Sequence, residues 1–181
     1  MDLELQRRCP ERMAYNIAAP NVVINVLDSY TQVEAGIARL CQSGLQMCNI
    51  SVVGRERLLR TSCAYYGQTG PARRAGLDGE FWSAVWAQLQ GWAILLVPDG
   101  PPLLVAGPLA EWVVASLENL AVFEDLNALG AALYALAIPR SAALQCEEAV
   151  CAGRILLIAH GCASEVERAK EILNPHPGPP H

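Results

Sequence analysis

The stretch from Ala75 to Pro139 constrains this chain more than any other. It holds all four tryptophans (Trp82, Trp86, Trp92, Trp112) and both phenylalanines (Phe81, Phe123). It carries seven acids and no lysine or arginine, with Arg73 and Arg74 on one flank and Arg140 on the other. The segment Val97-Pro98-Asp99-Gly100-Pro101-Pro102 breaks it near its middle. From Glu80 to Val97 the residues Trp82, Trp86, Leu89, Ala93 and Leu96 recur at helical spacing, and Phe81, Val85, Trp92 and Leu95 widen that face. The pattern predicts a helix there, a second apolar segment over 103–119 completing a hinged hairpin, and a third helix from Glu124 or Asp125 to Leu136.

Something must cover so much apolar surface. The chain is 52% hydrophobic and only 17% charged, against roughly 25% charged for ordinary soluble domains. That means a large core, a sizeable interface or contact with lipid. Its 181 residues suit one domain, or one domain with a large insertion. A net charge of −5 with no basic run excludes nucleic acid as a partner, because a phosphate backbone asks for a basic face. The first residues contain no apolar core of a secretory signal, so none is expected. Seven irregularly spaced cysteines then read as reduced and mostly buried in a cytoplasmic protein.

The flanks read as an α/β frame. Residues 1–20 are a polar N-terminal arm and 174–181 a proline-rich tail. In the first half, 21–74, Asn21–Leu27 is a strand, and Ser29 with Gln32 is a capping box opening a helix whose face is Val33, Ile37 and Leu40. Gly44 stops that helix, Asn49–Gly54 is the next strand, and Thr61–Tyr66 pairs back on it as a hairpin. In the second half, 140–173, a helix over 141–152 leads to a strand over 154–160. Ser164 with Glu167 then caps a last helix. The order β-α-β-(β)…α-β-α is α+β, a ferredoxin-like sandwich interrupted by the 75–139 insertion.

Seven stretches in this order carry a family likeness: 26–35 (VLDSYTQVEA), 50–54 (ISVVG), Phe81-Trp82 with Trp86, Val97-Pro98, 103–109 (LLVAGPL), 129–139 (LGAALYALAIP) and 156–161 (LLIAHG). Together they span most of 22–173, and the sequence resembles the general-stress, heat-induced stress protein domain family of small bacterial proteins. The resemblance implies an α/β frame split by a hydrophobic hairpin, a stress-response setting and no established catalytic residues. This chain has fewer hairpin glycines than that family, and Glu80, Gln88, Gln90, Glu111 and Glu118 interrupt the apolar surface.

Chemistry is thinly represented. Cys146, Cys151, His160 and Cys162 are the candidates for a metal or redox site, but they fit neither Cys-x-x-Cys nor an i, i+4 pair on a helix. Gly67 and Gly70 lie in a loop rather than a strand-to-helix phosphate turn, and no nucleophile elbow appears. Glu147 and Glu148 read as a solvated helix face. Glu111 and Glu118, seven apart, lie on one face and either face water or pair with Arg73, Arg74 or Arg140. The expectation is therefore a non-catalytic protein with no cofactor, self-associating or docking into a larger assembly as an accessory subunit. Its contact residues would be Trp82, Trp86, Leu89, Trp92, Leu103, Glu111, Trp112 and Glu118. One alternative is a stress protein held at the inner membrane, from the cytoplasmic side, by the 80–119 hairpin. A second is a cysteine-based metal or redox sensor.

Overall fold

Runs of β-branched and aliphatic residues bounded by turn formers become the strands of one antiparallel sheet. The computed structural model describes residues 15–55, 65–67, 77–89, 91–95, 102–117 and 125–174. Among them the strands are β1 (Tyr15–Ala19), β2 (Val22–Leu27), β3 (Ile50–Arg55), β4 (Tyr65–Gly67), β5 (Trp92–Leu95), β6 (Leu103–Ala106) and β7 (Ile155–His160). The helices are α1 (Tyr30–Gln42), α2 (Leu77–Gln88), α3 (Leu109–Leu117), α4 (Ala128–Ala135), α5 (Arg140–Cys151) and α6 (Ala163–Leu173). The sheet order is β1-β2-β7-β3-β6-β5-β4, with β2-β7-β3-β6-β5 as its five central strands.

The fold is α+β, as expected, and its topology is more specific. Both β2 and β3 run antiparallel to β7, so β2-α1-β3 is a crossover split by β7. Likewise β6 and β7 are parallel and split by β3. A ferredoxin-like sandwich is also built from two split units, but its first strand is central and its helices share one face. Here β7, the last of the four, lies inside and helices cover both faces. Val22, Ile24, Val26, Val53, Leu103, Val105, Leu156 and Ile158 pack under α3, α4 and α5. The alternate residues Val23, Ile50, Val52, Leu104, Leu157 and Ala159 pack under α1, α2 and α6. Burial on both faces explains the near-continuous apolar strand sequences.

Several boundaries follow the sequence closely. Ser29 and Gln32 form the expected capping box, and Gly44 takes φ +89 at the end of α1. Other expectations are corrected. Residues 15–19 of the supposed arm form β1, hairpinned onto β2 through Pro20 and Asn21 with Tyr15 opposite Val26. Residues 65–67 pair with β5, not with β3. The cap of α6 is Cys162, whose N–H donates to the Glu165 carboxylate at 2.9 Å, so the frame is two residues ahead of Ser164 and Glu167.

The largest correction concerns the apolar block. The helical hairpin over 80–119 is absent: α2 stops at Gln88, and β5 and β6 form a β-hairpin with Trp92 opposite Ala106. Two glycines at positive φ, Gly91 at +82 and Gly107 at +91, sit at its base, and the Gly107 N–H donates to the Gly91 carbonyl at 2.8 Å. A Cβ on Gly107 would strike the Ile50 carbonyl oxygen, so only glycine allows this close approach. The hairpin extends the sheet, α2 covers one of its faces and α3 with α4 the other. No helix among the described residues is long and apolar enough to cross a membrane.

Candidate functional site: the outer face of helices α3 and α4

Helix α3 is fastened to the sheet at its first residue. Ser51, fully buried on β3, accepts the Leu109 N–H at 3.1 Å and so satisfies a backbone donor that the helix cannot pair itself. Leu109, Ala110 and Val113 then face the core, and Trp112 faces outward. Helix α4 is fastened by two acceptors. Asn127 takes the N–H groups of Leu129 at 2.8 Å and Gly130 at 3.3 Å. Glu147, reaching from α5, takes those of Asn127 at 2.8 Å and Gly130 at 3.0 Å. Glu147 is therefore a half-buried helix cap and not part of a solvated face; Glu148 beside it is exposed. Burial pushes the Glu147 carboxyl above its ordinary range, and the two backbone hydrogen bonds pull the other way. A Cβ at Gly130 would occupy the space of the Glu147 carboxylate.

With both helices anchored, their outer sides form one surface. Trp112 is 37% exposed and Tyr134 47%, and these are the exposed large hydrophobic residues among those described. A groove of about 360 Å³ lies between the helices, lined by Trp112, Ala115, Ser116, Ala132, Ala135 and Leu136. Among the described residues no charged side chain lines it. Ser116 Oγ donates to the Trp112 carbonyl at 2.8 Å, which turns the polar group of this stripe back on its own helix.

The residues expected to form an assembly surface separate into two groups. Trp82, Trp86, Leu89 and Leu103 are buried inside the fold, so they cannot be contact residues. Trp82 is only 1% exposed, lies against Gly54, and is edge-on to Phe81, which stacks on Tyr30. Trp86 donates its indole N–H to the Val105 carbonyl at 3.4 Å. Glu111 and Trp112 remain on the surface. Glu118, Arg73, Arg74 and the side chain of Trp92 lie outside the description, and Arg140 pairs with Asp125.

The four candidate metal or redox residues are not brought together. Cys146 is buried among the α4–α5 core residues, and burial first, then the charge of Glu147, pushes its thiol up to about 12, far from a reactive thiolate. Cys151 is exposed at the end of α5, and Cys162 caps α6. His160 ends β7 beside Trp112. Among the described residues no group of three His, Cys, Asp or Glu side chains could hold a metal. A wider cleft of about 600 Å³ lies between the end of α2 and the start of α3. Cys48 and Glu111, both exposed, are its polar or reactive side chains among the described residues, and these two form no acid–base pair or ligand set.

The outer face was only partly legible in the sequence. Trp112 was in the expected set; Tyr134 was missed, although it is the one hydroxyl-bearing aromatic in the uncharged run 128–135. In comparisons with known proteins, no family, curated protein or solved structure matches this chain.

Proposed function

We propose that this chain is a non-catalytic interaction protein that associates with a second copy of itself through the outer face of α3 and α4. The observation that carries this reading is Trp112, exposed and lining a groove whose described walls carry no charge, with a second exposed aromatic, Tyr134, on the adjoining helix. Exposed aromatic anchors around an apolar depression favour protein contact over solvent. Two copies of a chain with net charge −5 repel each other over most orientations, and a groove whose described lining carries no charge is where they can meet at least cost. A two-fold contact is self-complementary and places each Trp112 against its partner's groove. On this reading the chain acts as a structural unit or as an accessory subunit of a larger assembly.

Trp112→Asp tests the reading, because it places a charge in the centre of the contact without touching the buried residues of α3. The variant should keep the wild-type circular dichroism and elute as a smaller particle than the wild type at equal concentration. Equal elution of variant and wild type would refute the assignment of this face.

A further inference from the structure

Under Trp112 lies His160, the last residue of β7, on the same sheet face as Leu156 and Ile158. The indole and imidazole centroids are 5.1 Å apart with planes at 58°. The His160 Nε2 atom is sealed from solvent and has no hydrogen-bond partner among the described residues. Asn16, Arg55 and Trp82 also have an orphaned buried nitrogen, but none of them changes charge near neutral pH. Histidine does.

We propose that His160 is a proton-operated latch beneath Trp112: neutral, it seats the indole that anchors the α3–α4 face, and protonated, it unseats the indole and weakens self-association. The proposal rests on the reading of that face given above. A proton on the ring gives it two N–H donors and a positive charge, and among the described residues no acceptor is placed to meet the one on the sealed Nε2. The way to hydrate the ring is to move what packs on it, and among the described residues the ring beside it is that of Trp112 on α3.

Other groups bear on the balance. Glu165, from α6, is the nearby charge that favours the imidazolium. Its own carboxyl is held below the usual range first by the N–H of Cys162, so it stays anionic. Cys162 is at the same turn, Glu111 precedes Trp112 on α3, β2 sets Val22 opposite His160, and Asn49 brings an amide close to Gly161. The indole face also attracts a cation. Burial is nevertheless the larger influence and lowers the His160 pKa from 6.5. The sign follows. A histidine with a depressed folded pKa is neutral and seated above the ordinary value, and its contribution is lost as the pH falls below 6.5 toward the folded pKa.

The full chain, followed from about pH 8 to about pH 5 by nuclear magnetic resonance and sedimentation, tests this. His160, one of three histidines, should titrate below 6.5, and the Trp112 indole N–H should shift with the same midpoint. The dissociation constant of the dimer should rise about fivefold or more on acidification, and in His160→Gln it should stay flat. A His160 midpoint at or above 6.5, or an indole signal that ignores it, overturns the latch, and neither result needs a variant to fold. Association that weakens equally in His160→Gln overturns it too. A chain that is monomeric throughout, with the coupled titration intact, supports the latch and sinks the assembly reading instead.

Discussion

Glu147 shows how a residue that reads as ordinary surface becomes structural. Its carboxylate closes the start of α4 by accepting two backbone N–H groups, and Gly130 exists at that position to leave it room. Burial raises its pKa, so the charge is tolerated rather than required; what the fold needs is the acceptor oxygen. Glu147→Gln keeps that oxygen and should stay within about 0.5 kcal/mol of the wild type at neutral pH, whereas Glu147→Ala should lose about 1–2 kcal/mol, the usual cost of a missing cap. Because the folded pKa is raised from 4.5, the wild type should lose a little stability relative to Glu147→Gln as the pH rises through it. Urea titrations of the three proteins at acid and neutral pH decide the matter. No signal in the sequence marks Glu147 over Glu148. They are adjacent on a helix, and only the position of α4 relative to α5 selects one of them.

At the scale of elements, the tryptophans separate the core from the surface. Trp82 on α2 fills the layer beneath α1 and β3 and is 1% exposed. Trp82→Ala should therefore cost about 3–5 kcal/mol, and Trp112→Ser on α3 clearly less in monomer stability, as read by denaturant midpoints at high dilution. Equal losses would contradict the assignment of one to the core and the other to the surface. The elements with end signals were legible: α1 through Ser29, Gln32 and Gly44, and β2, β3 and β7 through their β-branched and aliphatic runs. The stretch 92–95 was not. Over a few residues a uniformly apolar strand has the same look as a helix interior. Gly91 and the prolines beyond Val97 were the better guide, because a positive-φ glycine and X-Pro bonds bound a strand more readily than they interrupt a helix. The apolar pattern around Trp82 and Trp86 told correctly which residues seek burial. It could not tell that the chain's own β-hairpin and helices would supply the cover.

At the scale of the whole molecule, the apolar block has changed meaning. It supplies two strands to the sheet, a helix to one face and two to the other. Among the described residues most of its apolar side chains are buried inside the chain, and the large exposed ones are Trp112 on α3 and Tyr134 on α4, where a partner is a means of removing them from water. The native mass of the unmodified chain across a dilution series is the most direct measurement of that claim. The account predicts a particle of twice 19.5 kDa at high concentration that falls to 19.5 kDa on dilution. A mass of 19.5 kDa at every concentration would contradict it.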